Sequence, residues 1–494
     1  MTKDEIQELA LKKLEENNFI GTVVLDMGTG KCKLGSDAIR LGKFQRILIT
    51  TPRTNLVATW ISELEKWIGL HSVTENWEGL KFIPLMEGGI VHISNIQTCY
   101  KWSKEQINFF DFIIFDEVHT CGEEYFSLVK NAKKLGIPIL GLTGTPALDD
   151  DWKSKVLYQS VPIVFSYMYS AKDGLINKRR YIFYEYELND NFKITSGNKV
   201  KNWQQGELSA YNYAQKVFET SAGEVKSIYF KEVVQRTKNI LEGKTLLSFP
   251  LSDKNKSYLR NSISKDFDFF KELVSNLYTI KDVNSVLYSA LQIIKGFDYS
   301  VLGMRVFELI KNSEVPTEAK TAMIKYSWAM SLRKKILLGL SSSQYIASRL
   351  SSSILAKNTS NKLLVFSERV EQAQLISANV IHGKQSKEIN DVLMNKFNSG
   401  ELRGLANCQM LTLGLNLKGV NYCIMESFTS SATQFKQKAG RSNRLPVDEI
   451  ATVIFIIPKN TQAEVWFKEI ESSLDLDDVE VYTISSIEEF NKLL

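Results

Sequence analysis

The sequence predicts an α/β protein in which two parallel-sheet domains flank a mainly α-helical, basic insertion. Three observations carry this. Short, uniformly apolar runs alternate with segments of helical period in both the first and the last third of the chain, the pattern of strands buried on both faces by crossover helices. Between about residues 200 and 355 such runs thin out and helical periodicity takes over. The same middle stretch holds the whole basic excess: residues 171–355 carry 28 Lys+Arg against 18 Asp+Glu, whereas 1–170 carry 18 against 21 and 356–494 carry 15 against 17. A basic segment between two near-neutral ones is the footprint of a polyanion-facing module, and equally of a solvated lysine-rich helical surface.

Length and composition bound the rest. A chain of 494 residues accommodates about three domains of roughly 150 residues. With 44% hydrophobic and 24% charged residues it can bury large cores, which excludes wholesale disorder. No apolar run approaches the roughly 18 residues that span a bilayer, and Met1–Glu5 opens no signal-peptide core. A soluble, cytoplasmic chain with no membrane partner is expected, in the host cytoplasm if the source is a phage or virus. The five cysteines are scattered without a Cys-x-x-Cys pair, so neither a disulfide framework nor a cysteine-ligated zinc site is indicated. The net charge of +5 is too small to diagnose a polyanion partner by itself.

Taken in order, the expected strands of the first domain are Gly21–Asp26, Arg46–Thr50, Phe112–Phe115 and Ile137–Leu142. Tyr181–Glu187 alternates and reads as a strand joining the first domain to the second. Tyr211–Phe218 and Phe267–Leu277 carry helical period and belong to the insertion, because a structureless loop of that length is improbable in a compact chain. Ser342, Ser343 and the Ser351–Ser353 run read as polar punctuation within helices. The strand pattern resumes at Lys362–Phe366, Leu402–Ala406, Tyr422–Met425 and Thr452–Ile457. Domain boundaries follow: 1–175 for the first, 176–200 with 355–494 for the second, and 201–354 for the insertion.

The strongest local signal is Leu25-Asp26-Met27-Gly28-Thr29-Gly30-Lys31-Cys32, which follows a strand and opens a helix. Glycines let backbone amides curl around phosphate oxygens, the helix N-terminus favours negative charge, and Lys31 can reach the β and γ phosphates. Position 32 is Cys where a Ser or Thr hydroxyl ordinarily binds Mg²⁺. The second signal lies 85 residues beyond Lys31, where an apolar strand ends in Asp116-Glu117-Val118-His119. There Asp116 can hold Mg²⁺ through its waters while Glu117 polarises the attacking water.

Together with an ordered series of shorter motifs along the chain, these residues resemble the superfamily 2 helicases and translocases with a DEAH-like motif II, closest in look to phage or viral branch-migration and DNA repair helicases. Gly28-Thr29-Gly30-Lys31 resembles motif I, Asp116–His119 motif II, and Leu142-Thr143-Gly144-Thr145-Pro146 motif III. Thr50-Thr51-Pro52-Arg53-Thr54-Asn55-Leu56, leading to Trp60, is similar to motif Ia, and Ile93–Thr98, with Ser94 and Gln97, to motif Ib. In the second domain Leu364–Ser367 resembles motif IV, His382-Gly383 the short motif after it, Thr412–Leu417 motif V, and Gln437-Lys438-Ala439-Gly440-Arg441-Ser442-Asn443-Arg444 motif VI.

The resemblance implies two RecA-like motor domains, ATP and Mg²⁺ as cofactors, and a set of roles. Lys31, Asp116 and Glu117 would be catalytic, with Arg441 and Arg444 as arginine fingers from the second domain. Gln7, 24 residues before Lys31, would read the adenine, and Gly28, Thr29, Gly30, Cys32, Gly414, Asn416 and Gln437 would complete nucleotide binding. Pro52, Arg53, Thr54, Ser94, Gln97, Ser367, His382, Gly383 and Thr412 would contact nucleic acid. His119, Thr143 and Thr145 would couple hydrolysis to strand movement. Cys32 is the departure from the pattern, since a thiol is a poor Mg²⁺ ligand; with the catalytic set intact, a water in place of the missing hydroxyl keeps an active ATPase as the expectation.

Motifs II and V, together with Tyr158–Tyr167 followed by Ala171 and Gly174–Ile176, resemble those of the DNA-acting groups of the superfamily, which implies DNA rather than RNA. The expected activity is an ATP-dependent DNA helicase that translocates and remodels branched DNA, forks and junctions, with single-strand tails among the candidate substrates, in replication, recombination or repair. The alternatives are a double-strand DNA translocase that separates no strands, an RNA helicase, and a nucleotide-gated DNA-binding module without turnover. Lysines 193, 199, 201, 231, 238, 254 and 256 with Arg236 and Arg260 could neutralise phosphates in the insertion, and Trp203, Tyr211 and Tyr213 could stack on bases.

Overall fold

Gly21–Leu25 (β1) and Phe112–Asp116 (β6) are buried at every position, as strands covered on both faces must be. The computed structural model describes residues 2–26, 29–53, 55–77, 79–99, 101–118, 123–144, 157–168, 177–194, 205–241, 317–408, 417–429, 438, 445–446, 448–472, 474 and 479–494. In the first sheet Arg46–Thr51 (β2), Glu75–Trp77 (β3), Leu80–Pro84 (β4), Ile90–Asn95 (β5), Ile139–Thr143 (β7) and Ile163–Tyr167 (β8) join these two strands in the order β3-β4-β5-β2-β6-β7-β1-β8. From β5 to β8 all pairings are parallel, while β3–β4 and β4–β5 are antiparallel. Parallel strands place their C-terminal ends along one edge, and there Asp116 lies level with Leu142, and Thr143 with Val24. Helices Lys3–Glu16 (α1), Lys31–Gly42 (α2) and Asn55–Trp67 (α3) contribute Ile6, Leu34, Trp60 and Leu64 to the core on one face. Leu128, Val129 and Ala132 of Glu123–Lys134 (α4) belong to the core on the other.

The second sheet runs β11-β12-β10-β13-β14-β9-β15, with each neighbouring pair parallel. Its strands are Lys178–Tyr186 (β9), Leu363–Ser367 (β10), Val380–His382 (β11), Gly404–Cys408 (β12), Tyr422–Met425 (β13), Ile450–Pro458 (β14) and Glu480–Ile484 (β15). The two parallel-dominated α/β sheets are those that the apolar runs predict, and they fit the RecA-like pair that the resemblance implies. β9 sits inside the second sheet between β14 and β15, and its alternating sequence does not become alternating burial. Tyr181 and Phe183 enter one core cluster and Ile182 and Tyr184 the other, so Tyr serves as a buried residue on a strand covered twice.

The remaining segment, Asn189–Leu340, forms a compact unit of its own. Its described part is mainly helical: Glu207–Leu241 (α5) and Thr317–Leu337 (α6) pack together. Inside that pair Arg333 is buried, its guanidinium 3.7 Å from the Phe218 ring centroid and donating to Gln215 Oε1 at 2.9 Å. This unit ends at Leu340. Ser341–Lys357 (α7) belongs with the second sheet, because Ile346, Ala347, Leu350 and Ile354 enter its core. Residues 242–316, which hold the expected helix Phe267–Leu277, lie outside the described residues. Among the described residues no helix is long and apolar enough to cross a membrane.

Candidate active site

The phosphate loop is shaped by Gly30, whose φ of +83° puts it in the left-handed region immediately before α2. Glycine adopts that conformation without steric cost. A Cβ at Gly30 would also force the Gln7 amide nitrogen to shift. Thr29 is buried and its Oγ1 donates to the Asp26 carbonyl at 2.6 Å, pinning the turn. Lys31 Nζ donates to the carbonyls of Leu25 at 3.1 Å and Asp26 at 3.3 Å. An ammonium resting on neutral carbonyls at a helix N-terminus exchanges them favourably for phosphate oxygens, because charge-assisted bonds are stronger.

Asp116 ends β6, is buried, and accepts from Trp60 Nε1 at 2.9 Å and from the Glu117 amide at 3.0 Å. Burial, reinforced by the neighbouring Glu117 charge, lifts its carboxyl to about 7, while Trp60 and Lys31 act to lower it. The Lys31 charge thus acts on the Asp116 carboxyl. Glu117 has a φ of +50°, a left-handed conformation that costs a non-glycine residue about 1–3 kcal/mol.

Cys32, on the first turn of α2, is half-buried. Burial first, then the charges of Asp116 and Glu63, push its thiol well above the usual range, so it is neutral. Asp116 is a hard oxygen donor suited to Mg²⁺; a neutral thiol is not. The donor set fits a cation held through Asp116 and water rather than through the side chain at 32.

Gln7 reaches the loop from α1. It is buried, with Nε2 donating to the Thr29 carbonyl at 2.7 Å and Oε1 accepting from Lys33 Nζ at 2.6 Å. Among the expected nucleic-acid contacts, Pro52 and exposed Arg53 follow β2, while Ser94 lies level with Thr50 on β5 and exposed Gln97 follows it. Asn95 Nδ2 donates to the Pro52 carbonyl at 3.4 Å, so the two segments share one edge. In the second sheet Ser367 and His382 both lie level with Cys408, at its C-terminal edge. Ser367 Oγ donates to the Arg369 carbonyl at 3.1 Å. Asn390 brackets His382 by accepting from its amide and donating to its carbonyl, and Gly383 faces open space. Thr143 is buried at the end of β7. Gly28, Thr54, His119, Thr145, Thr412, Gly414, Asn416, Gln437, Arg441 and Arg444 lie outside the described residues.

Five residues around these edges have no assigned role in the motif pattern. Trp60 closes the Asp116 carboxylate, and Lys33 holds Gln7. Lys438, inside motif VI, pairs with Glu368 at 2.6 Å, the side chains being only 6% and 12% exposed. Buried Glu426 follows β13 and accepts from Ser427 Oγ at 2.7 Å, while Ser427 Oγ in turn accepts from the Glu368 amide at 2.9 Å. Burial pushes the Glu426 carboxyl up to about 7. None of these pairings leaves a local sequence signal.

Residues 2–148 match the family described as type III restriction enzyme, res subunit, and residues 346–446 match the helicase conserved C-terminal domain. Over 137 residues the chain is 29% identical to the DNA 3'-5' translocase XPB2 of Sulfurisphaera tokodaii, a stretch that makes up 26% of this chain and spans 28% of that relative's length. Among solved structures, S. cerevisiae Dbp5 bound to RNA and ADP BeF3 has a TM-score of 0.50 at 9% identity, covering 99% of this chain and 92% of its own. The Pyrococcus furiosus Hef helicase domain has a TM-score of 0.44 at 15% identity, with coverage of 95% and 97%. A fragment of a putative HsdR subunit of a type I restriction enzyme from Vibrio vulnificus YJ016 has 0.49 at 13%, with coverage of 97% and 68%. The Dbp5 likeness is one of fold. With one family match on each sheet, in the order of the motifs, the chain belongs to the superfamily 2 helicases and translocases.

Proposed function

We propose that the chain is an ATP hydrolase coupled to movement on DNA, unwinding or remodelling forks and junctions in replication, recombination or repair. The observation that carries this reading is that Lys31 opens α2 behind the Gly30 turn while Asp116 ends β6, with the Lys31 charge acting on the Asp116 carboxyl. Lys31 and the Gly30 loop bind the phosphates, Asp116 holds Mg²⁺ through water, Glu117 orients the attacking water, and Gln7 contacts the base. Arg441 and Arg444 stabilise charge on the transferring phosphoryl group. Mg²⁺ supplies neutralisation of the phosphate oxygens. Pro52, Arg53, Ser94, Gln97, Ser367, His382 and Gly383 track the nucleic-acid backbone, and the basic insertion selects the DNA structure. DNA rather than RNA is supported by the match to a DNA translocase and to a restriction-enzyme family.

That relative is described as a translocase, which favours a second reading: movement along duplex DNA without strand separation. A strand-displacement panel over forks, four-way junctions, tailed duplexes and RNA duplexes, run beside DNA-stimulated ATPase and triplex displacement, separates the readings. Fork or junction release that disappears in Lys31→Ala and Glu117→Gln supports the first. Triplex displacement without release supports the second. Preferential release from RNA duplexes overturns the DNA assignment, and DNA binding that responds to ATP without turnover leaves a nucleotide-gated module.

A further inference from the structure

Lys33 Nζ donates to the Gln7 amide oxygen at 2.6 Å. The Gln7 side chain is 4% exposed and is held between the Thr29 carbonyl, which can only accept, and the Lys33 ammonium, which can only donate. Partners of opposite character admit one orientation of the amide. Turned over, it would set its N–H groups against the ammonium and its oxygen against the carbonyl. Lys33 is itself fixed from three helices: Asp4 Oδ1 of α1 lies at 3.3 Å, Asp37 Oδ2 of α2 at 3.6 Å, and the Trp67 ring centroid of α3 at 5.6 Å. One N–H and one lone pair of the Gln7 amide remain for a ligand. That donor–acceptor pair complements the N7 acceptor and N6 donor of adenine, whereas guanine offers two acceptors on the same edge.

We infer that Lys33 is a positioning residue for base recognition: by locking the Gln7 amide, it sets the preference for an adenine nucleotide. This rests on the reading of Gln7 as the base contact. Turned over, an unlocked amide meets the adenine N6 donor with its own donor. The bond from Gln7 to the Thr29 carbonyl ties the base-reading group to the phosphate loop, so the lock serves both ends of the nucleotide.

The test compares the full-length wild type with Q7A, K33M and K33R, saturated with DNA, by hydrolysis of ATP and GTP and by equilibrium binding of fluorescent ATP and GTP analogues. K33M is expected to lower the ATP-over-GTP ratio of kcat/KM by roughly tenfold, about one hydrogen bond. It acts mainly through KM for ATP, and K33R restores the ratio. D4N combined with D37N, which loosens the ammonium without removing it, moves the ratio in the same direction and serves if K33M folds poorly. If Q7A leaves the ratio unchanged, Gln7 is not the base contact and the inference falls with that reading. If Q7A collapses the ratio while K33M and the Asp4/Asp37 variant preserve it, Gln7 keeps its role and the Lys33 assignment is overturned.

Discussion

The indole Nε1–H of Trp60 donates to Asp116 Oδ2 at 2.9 Å, and both side chains are buried. Trp60 lies on α3, the helix that begins two residues after Arg53, so one rigid element joins the candidate DNA-contacting segment to the carboxylate. The indole bond lowers the Asp116 pKa against burial and the Glu117 charge, which raise it to about 7. Removing it in Trp60→Phe raises that pKa, so more of the carboxyl is protonated near neutrality. The acid limb of kcat/KM for ATP hydrolysis should move to higher pH by roughly one unit, with a Mg²⁺ requirement that grows more at pH 6.5 than at pH 8.5. A pH–rate profile superimposable on that of the wild type would remove Trp60 from this role.

Lys438 and Glu368 form a buried ion pair between the second sheet and motif VI, three residues before Arg441. Breaking such a pair from one side leaves an uncompensated buried charge, a loss of about 3–5 kcal/mol, whereas replacing both partners by apolar residues is often neutral. Lys438→Met and Glu368→Met should each destabilise strongly and cut ATP hydrolysis roughly tenfold or more, a barrier change of about 1.4 kcal/mol. The double variant should be more stable than either single one. Urea unfolding of all four proteins completes the cycle; additive losses would mean that the two charges are not coupled.

The apolar parallel strands and the glycine-bounded turn before α2 were legible because their signals are local: a run of residues wanting burial on two faces, or a glycine beside a helix start. The antiparallel edge was not. Glu75–Trp77 and Leu80–Pro84 are short and mixed, and their pairing depends on a neighbour already in place. The serines of α7 read as punctuation, yet Ser342, Ser343 and Ser351 are buried. Ser351 returns its hydroxyl to the Ala347 carbonyl and Ser343 meets the Tyr186 hydroxyl, so each behaves as a small, satisfied core residue. Trp60 and Asp116 are 56 residues apart, and Glu368 and Lys438 are 70 apart. Only the fold brings them together.

Glu426 gives the second sheet its own pH dependence. Its carboxyl, near Ser427, Ser367, Glu368 and Arg369, is lifted to about 7 chiefly by burial, against about 4.3 in an unfolded chain. The folded state therefore holds the proton more tightly, and stability is lost as pH rises from about 4.3 to 7, levelling above. Asp116 contributes a slope of the same sign, so Glu426→Gln should lessen the slope without abolishing it. The variant should gain on the wild type across that window, by on the order of 3 kcal/mol at pH 8. Chemical denaturation at pH 5 and pH 8 measures the difference; parallel behaviour of the two proteins would show that the buried carboxyl is not the source.

Gly30 meets two independent demands, a φ of +83° and the close approach of Gln7 Nε2. Alanine at this position faces both a left-handed backbone, which costs about 1–3 kcal/mol, and a collision that displaces the Gln7 amide from the Thr29 carbonyl. Gly30→Ala should therefore lose nucleotide binding by more than tenfold, beyond the roughly 1.4 kcal/mol that a tenfold change represents. In the Gln7→Ala background the collision is gone and the backbone strain remains, so the further loss on adding Gly30→Ala should be smaller. Titration of a fluorescent ATP analogue against the two single variants and the double variant separates the terms. Equal losses in both backgrounds would assign the whole effect to backbone conformation, and a smaller one in the Gln7→Ala background to the contact between α1 and the loop.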